Sequence, residues 1–199
     1  MIGFLRIRQQ AVLCVCALVF ALMAVVPTRA FDNAGVQVAT NKVLLDSLFD
    51  QLKDAKTEAV ARGVADRIWQ QWFLSDNADV APLMERVRFA QRAGLPEEAL
   101  KELDKIIQLD PDYVEGWNQR ATLLFVLGRD AESVRDIQQV LRIEPRHFGA
   151  LAGLGLIHMR AENWKSAIAA FERAIELHPF LSERAFLPEL RRKLEGTKL

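Results

Sequence analysis

Cysteine is almost absent from this 199-residue chain, and its placement excludes more than its number. Only Cys14 and Cys16 occur, both inside the uncharged run Ala11 to Val26. Residues beyond 30 therefore hold no disulfide, thiol nucleophile or cysteine metal site, and must be held by packing alone. An excess of one charge is missing too, with 26 basic residues against 26 acidic ones. A nucleic-acid binder normally carries a basic surplus, so no nucleic-acid partner is expected. Histidine is scarce: His147, His158 and His178 are the three. No two of them have the i, i+4 spacing that puts two ligands on one helical face, so neither a metal nor another cofactor is expected. Gly149, Gly153 and Gly155 superficially resemble a phosphate loop, but they lie within a helical pattern and have no P-loop lysine. Gly-x-Ser-x-Gly and His-Glu-x-x-His are absent as well. Nothing in the residues points to an enzyme.

Long apolar runs are also lacking beyond the first 30 residues. Arg6 and Arg8 precede the 16-residue run, and Pro27 with Thr28-Arg29-Ala30 follows it. The charged, apolar and small-residue regions read as a secretory signal peptide over residues 1–30. Sixteen residues fall short of the roughly 20 that span a bilayer. An uncleaved signal anchor facing the periplasm is the alternative, and membrane contact is expected only through that segment. Neither cysteine sits behind small residues at the end of the run, so acylation does not fit. Loss of Arg6, Arg8 and Arg29 leaves 23 basic against 26 acidic residues, a net charge of −3. Residues 31–41 carry no helical stripe and read as a flexible lead.

What the chain does have is a period. Pro111, Pro145 and Pro179 lie 34 residues apart, each closing a stretch that reads as two short helices. Numbered so that the closing proline is position 32, three copies begin at Val80, Val114 and Phe148. Gly94 and Gly128 share position 15, where a helix ends on a residue tolerant of positive φ. Pro96 suits the first turn of the next helix, with Glu97 and Glu98 offsetting the positive N-terminal pole. Asp112 and Glu115 read as an Asp variant of the capping box.

With this period and punctuation the chain resembles the tetratricopeptide repeat (TPR) family, which implies an all-α, right-handed superhelix of antiparallel helix pairs. In that family, helix pairs pack through positions 4, 7, 8, 11, 20, 24 and 27. The third copy fits best, with Leu151, Leu154, Gly155, His158, Ala167, Phe171 and Ala174. The second departs at position 7 with Arg120, and the first is weaker, with Arg86 there. The resemblance divides the chain into repeats at 80–113, 114–147 and 148–181. Residues 42–79 form a helical hairpin, a degenerate repeat expected to bury Trp69, Trp72 and Phe73 against the first strong copy. Residues 182–199 form a C-terminal capping helix and tail, with an apolar stripe through Leu190 and a kink or new start at Pro188.

The same resemblance assigns an inner wall. In TPR proteins positions 2, 5, 6, 9, 12 and 13 of the first helix of each pair face the concave groove. Those eighteen positions include Glu115 and Gly149, and the ten taken as partner-binding residues are Met84, Arg88 and Arg92, then Asn118, Gln119, Thr122 and Phe125, then Leu156, Met159 and Arg160. Amides can bond a peptide backbone, arginines can pair with its carboxylates, and apolar side chains can anchor it. The carboxylate clamp of the heat-shock co-chaperones is not matched, since its positions hold Met84, Arg88, Gln119, Gly149 and Gly153. The order of signal, hairpin and repeats resembles short exported TPR proteins of alphaproteobacteria. This implies a periplasmic, non-enzymatic scaffold for a peptide or protein partner, in envelope integrity or assembly. The alternative is an accessory recognition subunit of an envelope enzyme complex: a protease, a wall hydrolase or a cytochrome-maturation system.

Overall fold

The computed structural model describes residues 33–196, with side chains from residue 41 onward. The expected signal segment lies outside the described residues. The chain divides into two units at residues 40 and 41. Of the first, only the helical backbone of residues 33–40 is described.

Every described element is helical. In chain order they are α1 Asn33–Lys53, α2 Glu58–Trp72, α3 Val80–Arg92, α4 Pro96–Leu109, α5 Val114–Val126, α6 Asp130–Ile143, α7 Phe148–Arg160, α8 Trp164–Leu177, a short 3-10 turn Ser182–Phe186, and α9 Leu187–Gly196. Helices α3 to α8 form three antiparallel pairs, and each pair stacks on the next through its second helix. This is the all-helical solenoid that the 34-residue period implies. Helix α1 already begins at Asn33, within the segment read as a flexible lead.

Each pair turns in the same way. Gly94 and Gly128 adopt φ of 68° and 73°. The amides just beyond them reach back to the carbonyls of Ala90 and Leu124 at 2.9 and 2.8 Å, a Schellman closure. The third pair makes the same closure, Asn163 to His158 at 2.9 Å, but its positive-φ residue is Glu162 at 55°. Pro96 occupies the first turn of α4, with Glu97 and Glu98 beside it. The capping box expected at Asp112 does not form. Tyr113 is the N-cap of α5 with no side-chain cap bond, and Glu115 turns inward to be fully buried.

Small residues sit where helices touch. A Cβ added to Gly155 would lie 2.5 Å from the Phe171 ring, so only hydrogen fits. Arg120, the departure at position 7, is explained by what it meets: Nε and Nη2 donate to the Asp136 carboxylate at 2.7 and 2.8 Å, and Nη1 donates to Asp104 at 2.7 Å. Arg86 in the first pair likewise donates to Glu102 at 2.8 Å. An arginine at position 7 is thus matched by a carboxylate at position 23 of its own repeat. In the third repeat those positions are Leu154 and Ala170.

The hairpin α1–α2 packs elsewhere than the repeat pattern suggests. The first repeat has its own core, from Val80 through Leu103 and Ile106 to Leu124. Trp69 and Trp72 instead join Phe49, His147 and Phe148, at the junction of the second and third repeats. Phe73 stays 42% exposed. The expectation that these rings bury against the first strong copy is therefore corrected. They are drawn past it because His147 and Phe148 offer stackable rings and Gly149 leaves room for an indole. At the other end Pro188 lies in the first turn of α9, starting a new segment, and Leu190 is buried against Phe171 and Ile168.

Candidate functional site: the inner wall

The inner wall consists of two stretches with different surroundings. The first is a cleft of about 210 Å³ where the 73–79 linker crosses α3. Phe73, Ser75, Asn77, Val80, Met84, Arg88 and Tyr113 line it. The linker is tied down by its own polar bonds. Ser75 Oγ donates to Asp110 at 2.7 Å, Asn77 Nδ2 to the Leu109 carbonyl at 3.5 Å, and Tyr113 Oη to the Phe73 carbonyl at 3.2 Å. Burial pushes the Tyr113 hydroxyl well above its ordinary pKa, so it serves as a donor. Arg88 is half-buried and bonded to Glu85. That bond holds the Glu85 carboxyl below its usual range and raises the Arg88 guanidinium. Arg92, one turn further, is exposed.

The second stretch, on α5 and α7, is covered at its start. Glu115 and Asn118, at positions 2 and 5 of the second repeat, are buried, as is Ala152 at position 5 of the third. Glu115 accepts from Asn118 Nδ2 and Gln119 Nε2, each at 3.2 Å, and lies 3.0 Å from His147 Nε2. His147 is fully buried, and its Nδ1 accepts the Ala150 amide at 3.0 Å, capping α7. The Trp72 ring stacks on it with centroids 4.0 Å apart. Trp69 presses on Gly149, where an added Cβ would lie 2.7 Å from the indole.

The ten expected wall residues therefore separate into groups. Met84 is buried and Arg88 half-buried, and both line the open cleft, with Arg92 near them in sequence and exposed. Asn118 and Gln119 are engaged by Glu115. Thr122 is exposed, with its Oγ1 bonded back to the Asn118 carbonyl at 2.9 Å. Phe125 and Arg160 are joined to each other. The guanidinium lies 3.9 Å over the ring, donates to the Phe125 carbonyl at 3.0 Å and pairs with Asp130. Leu156 and Met159 pack on the cluster of Phe171 and Leu190. Sequence reasoning did not place Tyr113, His147 and Phe73 at the site, and it placed Glu115 on the wall without foreseeing its burial. One signal was present: Gly149 is a glycine at a wall position where a side chain should face outward, which means that something presses on it.

Among the described residues no group of three or more His, Cys, Asp or Glu side chains is placed to hold a metal ion. No described helix is long and apolar enough to cross a membrane.

Comparison with known proteins agrees with this architecture. The model of the tetratricopeptide repeat, a non-catalytic scaffold, matches residues 119–182. Two solved structures share the fold at low sequence identity. The first TPR of Spaghetti (RPAP3) bound to HSP90 peptide SRMEEVD has a TM-score of 0.56 and 21% identity, covering 64% of this chain and 99% of that one. The TPR2B domain of yeast Sti1, in its pHsp70 complex, has a TM-score of 0.52 and 16% identity over 61% of this chain and 99% of that one. A TPR repeat-containing protein of Rhizobium etli is 41% identical over 138 residues, spanning 69% of this chain and 68% of the relative. On that likeness, and on three helix pairs in a 34-residue register, the chain belongs to the tetratricopeptide-repeat proteins.

Proposed function

We propose that this chain is a non-enzymatic protein-interaction scaffold that takes an extended peptide segment along the open stretch of its inner wall. The observation that carries the reading is the cleft beside α3. It offers an apolar floor from Phe73, Val80 and Met84, with Arg88 at its rim, and exposed Arg92 follows on the same helix. An apolar anchor followed by a carboxylate fits that arrangement, since guanidinium and carboxylate form charge-assisted hydrogen bonds. The first TPR of Spaghetti, similar in fold, is bound to an HSP90 peptide, which supports peptide binding as the mode. That heat-shock peptide is not the ligand proposed here, because the clamp positions carry Met84, Gly149 and Gly153 in place of side chains that grip a terminal carboxylate. Residues 1–30 support export, and with it a periplasmic role in envelope integrity or assembly.

Two measurements test this. The domain from residue 31 onward is used to capture partners from a periplasmic extract, alongside a variant carrying Arg88→Ala and Arg92→Ala. Loss of the captured partner in the variant supports the cleft, and unchanged capture refutes it. Residues 1–40 fused to a reporter active only outside the cytoplasm test export, and a silent reporter counts against it.

A further inference from the structure

The hairpin has the features of a ligand and few of a repeat. It contacts the superhelix at the junction of repeats two and three, whereas its sequence neighbour is repeat one, whose core contains no hairpin residue. It lies on the start of α7, with Trp69 over Gly149, a wall position, and Trp72 over the N-cap residue His147. Arg146 reaches across to Asp46 at 2.6 Å and sits 4.4 Å over the Phe49 ring, a contact at the exposed margin of the interface.

The polar groups beneath it do not depend on it. The Glu115 carboxylate is held by Asn118, Gln119 and His147, and His147 by the Ala150 amide, all within the repeats. Departure of the hairpin would let water reach this network without breaking any of its bonds. The hairpin itself is left incompletely satisfied when docked. The Trp72 indole N–H is buried with no hydrogen-bond partner, which opposes docking. A covering element that carries its own unmet donor, over a surface whose hydrogen bonds are complete without it, can be exchanged. The tether follows by giving up the Ser75–Asp110 and Tyr113–Phe73 bonds, both only partly buried, and its Leu74, Asp76, Ala78 and Asp79 are exposed.

We propose that residues 41–73 are a tethered, displaceable occupant of the ledge where repeats two and three meet, at the edge of the inner wall, and that the surface beneath accepts an amphipathic helix presenting an aromatic ring to Gly149 and His147. The occupant of the resting state is the chain's own hairpin. The inference goes beyond the peptide cleft and shares one residue with it, Phe73, which lines the cleft and belongs to the displaceable segment.

The test uses the whole chain with a protease site inserted between Asp76 and Asn77, and a fluorescent synthetic peptide of residues 41–73 as competitor. In the uncut protein the tether gives the resident hairpin an effective concentration on the order of millimolar, so the peptide is excluded. After cutting, the peptide should exchange in at a concentration at least about a hundredfold lower, with the helical circular-dichroism signal of the repeats retained when the hairpin dilutes away. The proposal is overturned if the repeats unfold as the hairpin leaves, which makes the hairpin a structural cap, or if the labelled peptide never exchanges.

A paired substitution gives an independent readout. Gly149→Ala collides with Trp69, whereas Gly153→Ala on the same helix meets only Ile137 at 3.7 Å. Gly149→Ala should speed tryptic cleavage after Arg62 and Arg67 by about tenfold or more, with amide protection in α5 to α8 unchanged, and Gly153→Ala should not. Equal cleavage in both variants, or loss of protection throughout the repeats, overturns the proposal.

Discussion

The second and third repeats occupy neighbouring places in one stack and solve the same packing problem in opposite ways. In the second, Arg120 and Asp136 span the helix pair as a largely buried ion pair; in the third, Leu154 and Ala170 take the same positions. The second pairs Ala121 with Ile137 at positions 8 and 24, and the third pairs Gly155 with Phe171. The second ends its first helix on Gly128 and the third on Glu162. The 34-residue register therefore conserves the sum of two facing residues and leaves each one free. A position that departs from the pattern has its explanation at the partner position.

The largest break in this comparison comes from separating the ion pair. Arg120→Leu alone leaves Asp136, 4% exposed, without its guanidinium, and should destabilise the chain by about 3–5 kcal/mol in denaturant unfolding. Arg120→Leu with Asp136→Ala copies the third repeat and should recover most of that loss, because both buried charges leave together. If the double variant is as unstable as the single one, the two solutions are not interchangeable.

Volume is the next term. Gly155→Ala puts a methyl group 2.5 Å from the Phe171 ring and should cost about 1–3 kcal/mol despite the gain in helix propensity. Adding Phe171→Ile, which reproduces the second repeat, should restore stability, as the unfolding midpoint would show. Backbone conformation comes third. Glu162 holds a left-handed φ of 55° with a Cβ, so Glu162→Gly should stabilise by about 1 kcal/mol and Gly128→Ala should destabilise by a similar amount.

The smallest effect is a pH dependence confined to the third repeat. Burial holds the His178 imidazole below its ordinary value of 6.5, with Glu183 opposing in part. The folded state therefore disfavours the protonated ring. Stability is intact above about pH 6.5 and declines as pH falls through the lowered folded value, because the unfolded chain binds the proton first. Melting temperatures between pH 7.5 and 5.5 should show this slope in the parent and a flatter one in His178→Leu.

These contrasts also mark what could be read from the residues. The helix pairs, their turns at Gly94 and Gly128 and the small position at Gly155 follow from local pattern and period, and all appear in the fold. Arg86 and Arg120 looked like flaws because the carboxylates that answer them lie 16 positions later. The site was harder to read. Wall positions carried over from the family assume an open groove, but Trp69 and Trp72 travel about 75 residues along the chain to cover part of it. No period encodes a contact between segments that are not repeats of each other. Asn118 and Arg160, chosen for their donors, had those donors engaged by Glu115 and Asp130. Met84 and Arg88 remained at the cleft because, among the described residues, only the end of α2 and the short linker line it from upstream.

The hydrogen bonds of His147 have one further consequence. A backbone amide can only donate, so the bond from Ala150 requires a lone pair on Nδ1. The ring proton then belongs on Nε2, where the Glu115 carboxylate receives it. Nitrogen chemical shifts should report this single tautomer, and protons on the imidazole carbons should sit under the ring current of the Trp72 indole stacked above. One side chain thus gives a spectroscopic signal for two events: the start of α7 is read from its nitrogens, and the seating of the hairpin from its carbons.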